Sequence, residues 1–517
     1  MYAHVYRIIT RTYFISQSTL SCACDHSRSE FSMDLIYFFA AFGVISTAIY
    51  FYLTFWYGYW ENYGLPVPYG TLPGLGNMYP VLFLKKNLAH LAKDIYEQTN
   101  GYSMAGFYDY RKPSLIVRDP ELVKSVMQGD FSHFLQNESR VDAELDPLIY
   151  TNPSFSFGTQ WNTSRKQLSS ALTPGKMKNM YQSIDGVCAK LVDYLNQKIA
   201  EAKDSDGFEV EGKELFSRFT AEVVAVAAYG VNGDSFNGVR NGIFREMGKL
   251  MFEPSRSKGL KQLVGFTIPF LRKLLRISFM PFELMMRYQE SGQTDAGSGE
   301  KFDDMSIVSH TTAFFLDGYE STSIAISFFA HLLARHPDVQ QKIRNEIFTA
   351  VKKHDGITYD ALQEMVYLEQ AFNESLRLFP VLGVLNKVCT KEIHLKGSDG
   401  LNCRITPGTT VRIPVFGLHM DPKYWQNPDQ FQPERFSEIN KQNTHKYVYL
   451  PFGEGPRICV GMRIGILQAK AAIATTLKHF TLEFSTRTKL PVELSPNYFL
   501  TSAAGGLWMK IKPISNG

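Results

Sequence analysis

Phe452-Gly453-Glu454-Gly455-Pro456-Arg457-Ile458-Cys459-Val460-Gly461 sets one thiol among three glycines, with an arginine two residues before it and an aromatic seven before it. Glycines let a backbone pass close to something flat and bulky, and free its N–H groups to point at the sulfur. Hydrogen bonds of that kind stabilise a thiolate and tune whatever it ligates. Arg457 is spaced to pair with a carboxylate of a bound group, and Phe452 to pack beside the sulfur. A helical run from Met462 to Phe480 begins just after the cysteine, so a helix N-terminus beside the sulfur would favour the anion further. The competing reading is a buried structural cysteine in a Gly-rich turn.

Composition narrows the class. With 517 residues the chain can bury a large core, and no Gly/Ser or Pro linker divides it after residue 80, so one large domain fits best. Aromatic content is 14%, including 38 Phe, which suits an apolar interior pocket. A net charge of +4 is too weakly basic to argue for nucleic acid. Six cysteines in so long a chain do not make a disulfide framework. Cys188, Cys389 and Cys403 read as plain reduced residues, and Cys22-Ala23-Cys24 lacks the second His or Cys pair of a metal site.

Leu35 to Trp60 is 26 residues without a charge, with Tyr50, Tyr52, Trp56, Tyr57 and Trp60 toward its C-terminal end. At ~1.5 Å per residue this exceeds the ~30 Å hydrocarbon thickness, and the aromatics are expected at the interface. Gly64-Leu65-Pro66-Val67-Pro68 and Leu72-Pro73-Gly74 then form a hinge that cannot continue a helix. Lys85 and Lys86 past the hinge agree with a cytosolic side. The chain thus divides into 1–32, 33–60 (membrane anchor), 61–79 (Pro/Gly hinge) and 80–517 (the main domain). Residues 1–32 precede Met33, which reads as an ordinary start, and are taken as an atypical extension.

Within the main domain, Asn87 to Gln98 reads as an amphipathic helix, Ser114 to Asp119 as a strand, and Pro120 to Met127 as a helix with Pro in its first turn. Phe131 to Phe157 is loop-like. Trp161 and Arg165 lie one helical turn apart and share a face. The longest helical pattern runs from Ser306 to Arg335, ended by His336-Pro337, and contains Asp317-Gly318-Tyr319-Glu320-Ser321-Thr322. Glu374 and Arg377 are three residues apart on a later helix and can pair.

The order of these motifs resembles that of the cytochrome P-450 haem-thiolate monooxygenases, especially the insect detoxifying branch. The resemblance implies a mainly α fold with a small β region from strands near 107–118, 385–415 and the C-terminal end. Haem b would lie between the oxygen-binding helix and the cysteine loop. By this match Cys459 is the axial iron ligand. Trp161, Arg165, Lys387 and Arg457 contact the haem propionates, and Phe452 lies beside the sulfur. Gly318 opens the oxygen-binding helix at a kink, and Glu320 with Ser321 delivers protons. Glu374, Arg377 and Arg435 of Pro433-Glu434-Arg435-Phe436 form a buried structural cluster. It further implies an endoplasmic-reticulum membrane, a catalytic domain facing the cytosol, and an apolar substrate. Electrons would come from NADPH through NADPH-cytochrome P-450 reductase, with a cytochrome b-type donor as a further source. The reductase would dock on the cysteine side, where Arg165, Lys166, Lys176, Lys178, Lys441 and Lys446 offer positive charge.

Four departures stand out. Ser321 replaces the usual threonine and loses its rotamer-restricting methyl. Lys387 replaces an arginine and loses the planar fork. Asp317 stands where a small residue is usual. It is expected to be a paired or solvated carboxylate rather than one joined to haem, as a glutamate is in the ω-hydroxylase branch. Finally, between Thr220 and Gly318 the chain is short by about one long helix, with the junction near Met280-Pro281-Phe282. Leu271 to Arg276 is still an amphipathic basic stretch suited to a membrane surface. Two other readings follow. One is a haem-thiolate hydroperoxide isomerase, which the retained Glu320 and Ser321 argue against. The other is a non-catalytic remnant or an incomplete gene model.

Overall fold

A computed structural model describes Leu35, Ser257 and residues 37–138, 141–202, 207–237, 242–252, 269–276, 304–442 and 444–514. The junction near Met280 and residues 1–32 lie outside the described residues.

The first helix, α1 (Tyr37–Thr54), is apolar, long enough to cross a membrane and buries none of its residues. Apolar side chains such as Phe38, Phe42 and Phe51 point outward. The uncharged run predicted a longer anchor, to Trp60, but the helix gives way to a turn after Thr54. Trp60 is fully buried instead and donates from its ring nitrogen to the Phe107 carbonyl. A side chain at Gly106 would fall 2.1 Å from the indole, so glycine makes the slot. Tyr57 likewise donates to the Leu72 carbonyl at 2.7 Å. Hydropathy sees these aromatics as continuous with the anchor; packing assigns them to the domain.

Helix α2 (Leu88–Gln98) is capped by Asn87, whose side chain accepts from the His90 N–H. The predicted helix from Pro120 is α-helical only to Lys124, then widens into a π-turn over Ser125–Gly129. A five-stranded sheet runs in the order β1 (Met104–Asp109), β2 (Lys112–Val117), β8 (Thr410–Ile413), β5 (Leu385–Val388), β3 (Gln136–Asn137). The short β3 and a helical turn at Pro147–Tyr150 interrupt the stretch predicted as loop. A second sheet joins β4 (Phe208–Glu211), β10 (Trp508–Pro513) and β9 (Phe480–Phe484), and β6 (Ile393–Lys396) pairs with β7 (Asn402–Ile405).

The helical body is built from α3 (Gly158–Ala171), α4 (Pro174–Glu201), α5 (Gly212–Ala228), α6 (Ile243–Phe252), α7 (Asp304–Arg335), α8 (Pro337–His354), α9 (Val366–Leu378) and α10 (Met462–His479). Helix α7 is its axis, packing against α5, α9 and α10. Ile326, Phe329 and Leu333 of α7 share one apolar core with Phe216 and Phe219 of α5 and Ile473 and Leu477 of α10. That axis carries Asp317 to Ser321 and so fixes the floor on which a site can be built.

Candidate active site between α7 and the cysteine loop

The cysteine loop closes on itself. The Cys459 N–H donates to the Phe452 carbonyl at 2.9 Å, and Phe452 packs against the main core. Gly453 and Gly455 both have positive φ, which L side chains rarely adopt. At Gly455 a Cβ would lie 2.1 Å from the Met127 carbonyl oxygen, so this glycine serves the approach to the π-turn. Gly461 is the N-cap of α10, and its N–H and that of Met462 pull the Cys459 thiol down against the burial that raises its pKa. Cys459 is accessible, yet protein surrounds it closely enough to desolvate it, so its sulfur faces an interior cleft.

Cations gather beside that sulfur. The Arg457 guanidinium sits 4.6 Å over the Trp161 ring and donates to the carbonyls of Pro153, Leu135 and Ser156. Its Nε is buried without a partner. Burial and the charge of Arg165 push Arg457 down to about 10. Burial likewise lowers Arg165, while the nearby Cys459 acts to raise it. Lys387 on β5 donates to Asn137 Oδ1 at 2.9 Å, and burial with the Arg457 charge pushes it down to about 7. Among the described residues none of the three cations is ion-paired. A desolvated cationic cluster with an orphaned guanidinium nitrogen is short of negative charge. The two carboxylates of a haem, laid against a thiol with N–H support, fit that need, so the residues present suit the group.

Helix α7 runs from Asp304 to Arg335 and passes through Gly318 without interruption. Hydroxyls bond back along it: Ser321 donates to the Asp317 carbonyl and Ser327 to that of Ser323. Glu320 and Ser321 do not meet. Glu320 is buried and its Oε1 lies 2.5 Å from Lys213 Nζ on α5, in a polar cleft shared with Tyr319, Arg245 and Glu214. Burial raises its pKa against the opposing pull of Lys213. Adjacent residues point about 100° apart on a helix, which separates the carboxylate from the hydroxyl.

The expected charged cluster does assemble. Arg377 donates to both Glu374 oxygens at 2.7 and 2.8 Å, and Arg435 adds a bond to Oε1 at 3.2 Å. Arg377 also binds the His419 carbonyl, tying α9 to the segment ahead of the cysteine loop. The basic face is partly neutralised, with Lys178 paired to Asp360 and Lys446 to Glu454. Sequence reasoning missed Lys213, Asn137 and Asn152, whose partners lie far off along the chain.

The family model described as "Cytochrome P450" matches residues 66–508. The chain belongs to this family. Cytochrome P450 9e2 of Blattella germanica is 32% identical over 497 residues, covering 86% of this chain and 92% of that protein. Cytochrome P450 6j1 of the same species is 31% identical, covering 94% and 100%. Cytochrome P450 3A13 of Mus musculus is 32% identical, covering 86% and 91%. The 497-residue alignment to the 9e2 protein exceeds the 86% of this chain that it spans. Several tens of that relative's residues therefore have no counterpart here. Membership makes the protein an oxidoreductase, a haem-thiolate monooxygenase binding haem b through a cysteine thiolate.

Proposed function

We propose that Cys459 would hold the iron of that haem through its thiolate and that the space between it and α7 is where an apolar small molecule, such as a xenobiotic, would be oxygenated. The observation that carries this reading is the Cys459 thiol, turned into an interior cleft with the N–H groups of Gly461 and Met462 directed at it. Bound haem supplies the oxygen chemistry, by which one atom of O2 enters the substrate and the other leaves as water.

The chain's own residues hold, orient and protonate. Trp161, Arg165, Lys387 and Arg457 take the propionates, and a carboxylate beside Lys387 would restore the ammonium that burial disfavours. Phe452 limits water at the sulfur, which keeps the thiolate's charge undiluted. Gly318 leaves room above the site, and Ser321 holds a proton-bearing hydroxyl there. Glu320 exchanges protons with the polar cleft through its Lys213 pair. The cluster of Glu374, Arg377 and Arg435 is structural. Electrons come from NADPH through a flavoprotein reductase or a cytochrome b-type donor. α1 anchors the protein in the endoplasmic reticulum membrane with the catalytic domain in the cytosol.

Cys459→Ser tests the assignment. The parent protein, reduced under CO, is expected to show a thiolate-type Soret band and the variant none; an unchanged band in the variant refutes it.

A further inference from the structure

Asp317 of α7 is a carboxylate that the proposed chemistry does not use. It is accessible but enclosed by protein, the same condition as Cys459, and its charge is close enough to act on that thiol. The two groups therefore lie close together.

The carboxylate is held. Asn152 Nδ2 donates to Asp317 Oδ2 at 3.0 Å, and Asn152 Oδ1 accepts from the Ser154 N–H at 2.7 Å. The backbone bond fixes which end of the amide faces α7, so Asn152 can only donate to the carboxylate. Asn152 is itself buried. Among the described residues Asp317 has no ion-pair partner, and its Oδ1 has no hydrogen bond. Burial pushes its carboxyl up to about 6, leaving it ionised at neutral pH. Beside it, Leu316 packs on the apolar cluster of Val141, Leu148 and Ile149. A fixed negative charge at the edge of apolar surface favours a positive head on an apolar body.

We infer that Asp317 selects substrates, binding the cationic head of an organic cation through Oδ1 and Coulombic attraction so that its apolar body lies over the reaction site. This rests on the cleft above Cys459 being the substrate site.

The test uses haem-loaded protein and equilibrium dialysis with three probes of one size: benzyltrimethylammonium, its neutral carbon isostere neopentylbenzene, and phenylmethanesulfonate. A quaternary ammonium has no lone pair for iron and no pKa. The parent protein is expected to bind the cation at least about tenfold tighter than the anion. Asp317→Asn is expected to weaken the cation about tenfold while moving neopentylbenzene less than about twofold, and Asp317→Glu to keep cation binding. Equal binding of cation and anion by the parent overturns the proposal whether or not the variants load haem. So does a cation affinity that survives in Asp317→Asn, or a loss shared equally with the neutral probe. The reduced-CO spectrum of the same preparations reports separately on Cys459.

Discussion

Lys213 on α5 reaches across to Glu320 on α7 and ends 2.5 Å from its carboxylate, a charge pair that joins α7 to the polar cleft. Glu320 is 1% exposed and Lys213 24%, so the acid depends on the lysine far more than the reverse.

Removing Lys213 is therefore expected to strand the acid. Lys213→Met should destabilise the protein by about 2–4 kcal/mol at neutral pH. A carboxyl raised in the folded state contributes stability that is lost as pH rises through its folded value. The variant's deficit should accordingly shrink as pH falls and level off below about pH 3, where Glu320 is neutral in folded and unfolded chains alike. Thermal unfolding of both proteins across that range measures this, and a pH-independent deficit counts against it.

Ser321→Ala is expected to raise peroxide release per NADPH consumed, because a placed hydroxyl is exchanged for loosely held water. Ser321→Thr keeps the hydroxyl and should leave coupling intact. Thr322 is buried and points about 100° away, so it cannot substitute. Peroxide and NADPH assays on the three proteins decide the matter.

Gly455→Ala forces a Cβ onto the Met127 carbonyl at positive φ. A loss of at least about 3 kcal/mol is expected. Gly461→Ala, whose Cβ would lie 3.9 Å from the Cys459 sulfur, should be far milder. Haem content after purification, compared with melting temperature, separates the two.

Asp317→Asn should stabilise the protein at neutral pH. Its folded carboxyl, raised to about 6 by burial, penalises folding as pH climbs through that value, with Asn152 and Cys459 the groups facing it. Because the carboxylate opens on the cleft, the gain is about 1 kcal/mol. It should vanish below about pH 4. Such a gain would mark Asp317 as a residue kept for function at the expense of stability.

Local patterns carried much of this in the sequence. Asn87 and Asp119 accept from backbone N–H groups at the starts of the helices they precede. The apolar face of α9, with Leu368, Phe372 and Leu376, was equally legible, since it follows from a period of a few residues. Glu374 and Arg377, three apart, face each other across less than one turn.

By itself the sequence determined that a thiol would sit in a Gly-rich loop at a helix N-terminus, that a long apolar helix would run before His336, and that an uncharged segment would precede the domain. These depend on backbone sterics and on hydrophobic period, both local. Only the tertiary structure decided that Trp60 belongs to the domain, that Glu320 turns to Lys213 rather than to Ser321, and that Asn152 holds Asp317. Each joins residues remote along the chain, or adjacent ones a helix turns apart, and no local rule specifies which polar group will find which partner once both are taken from water.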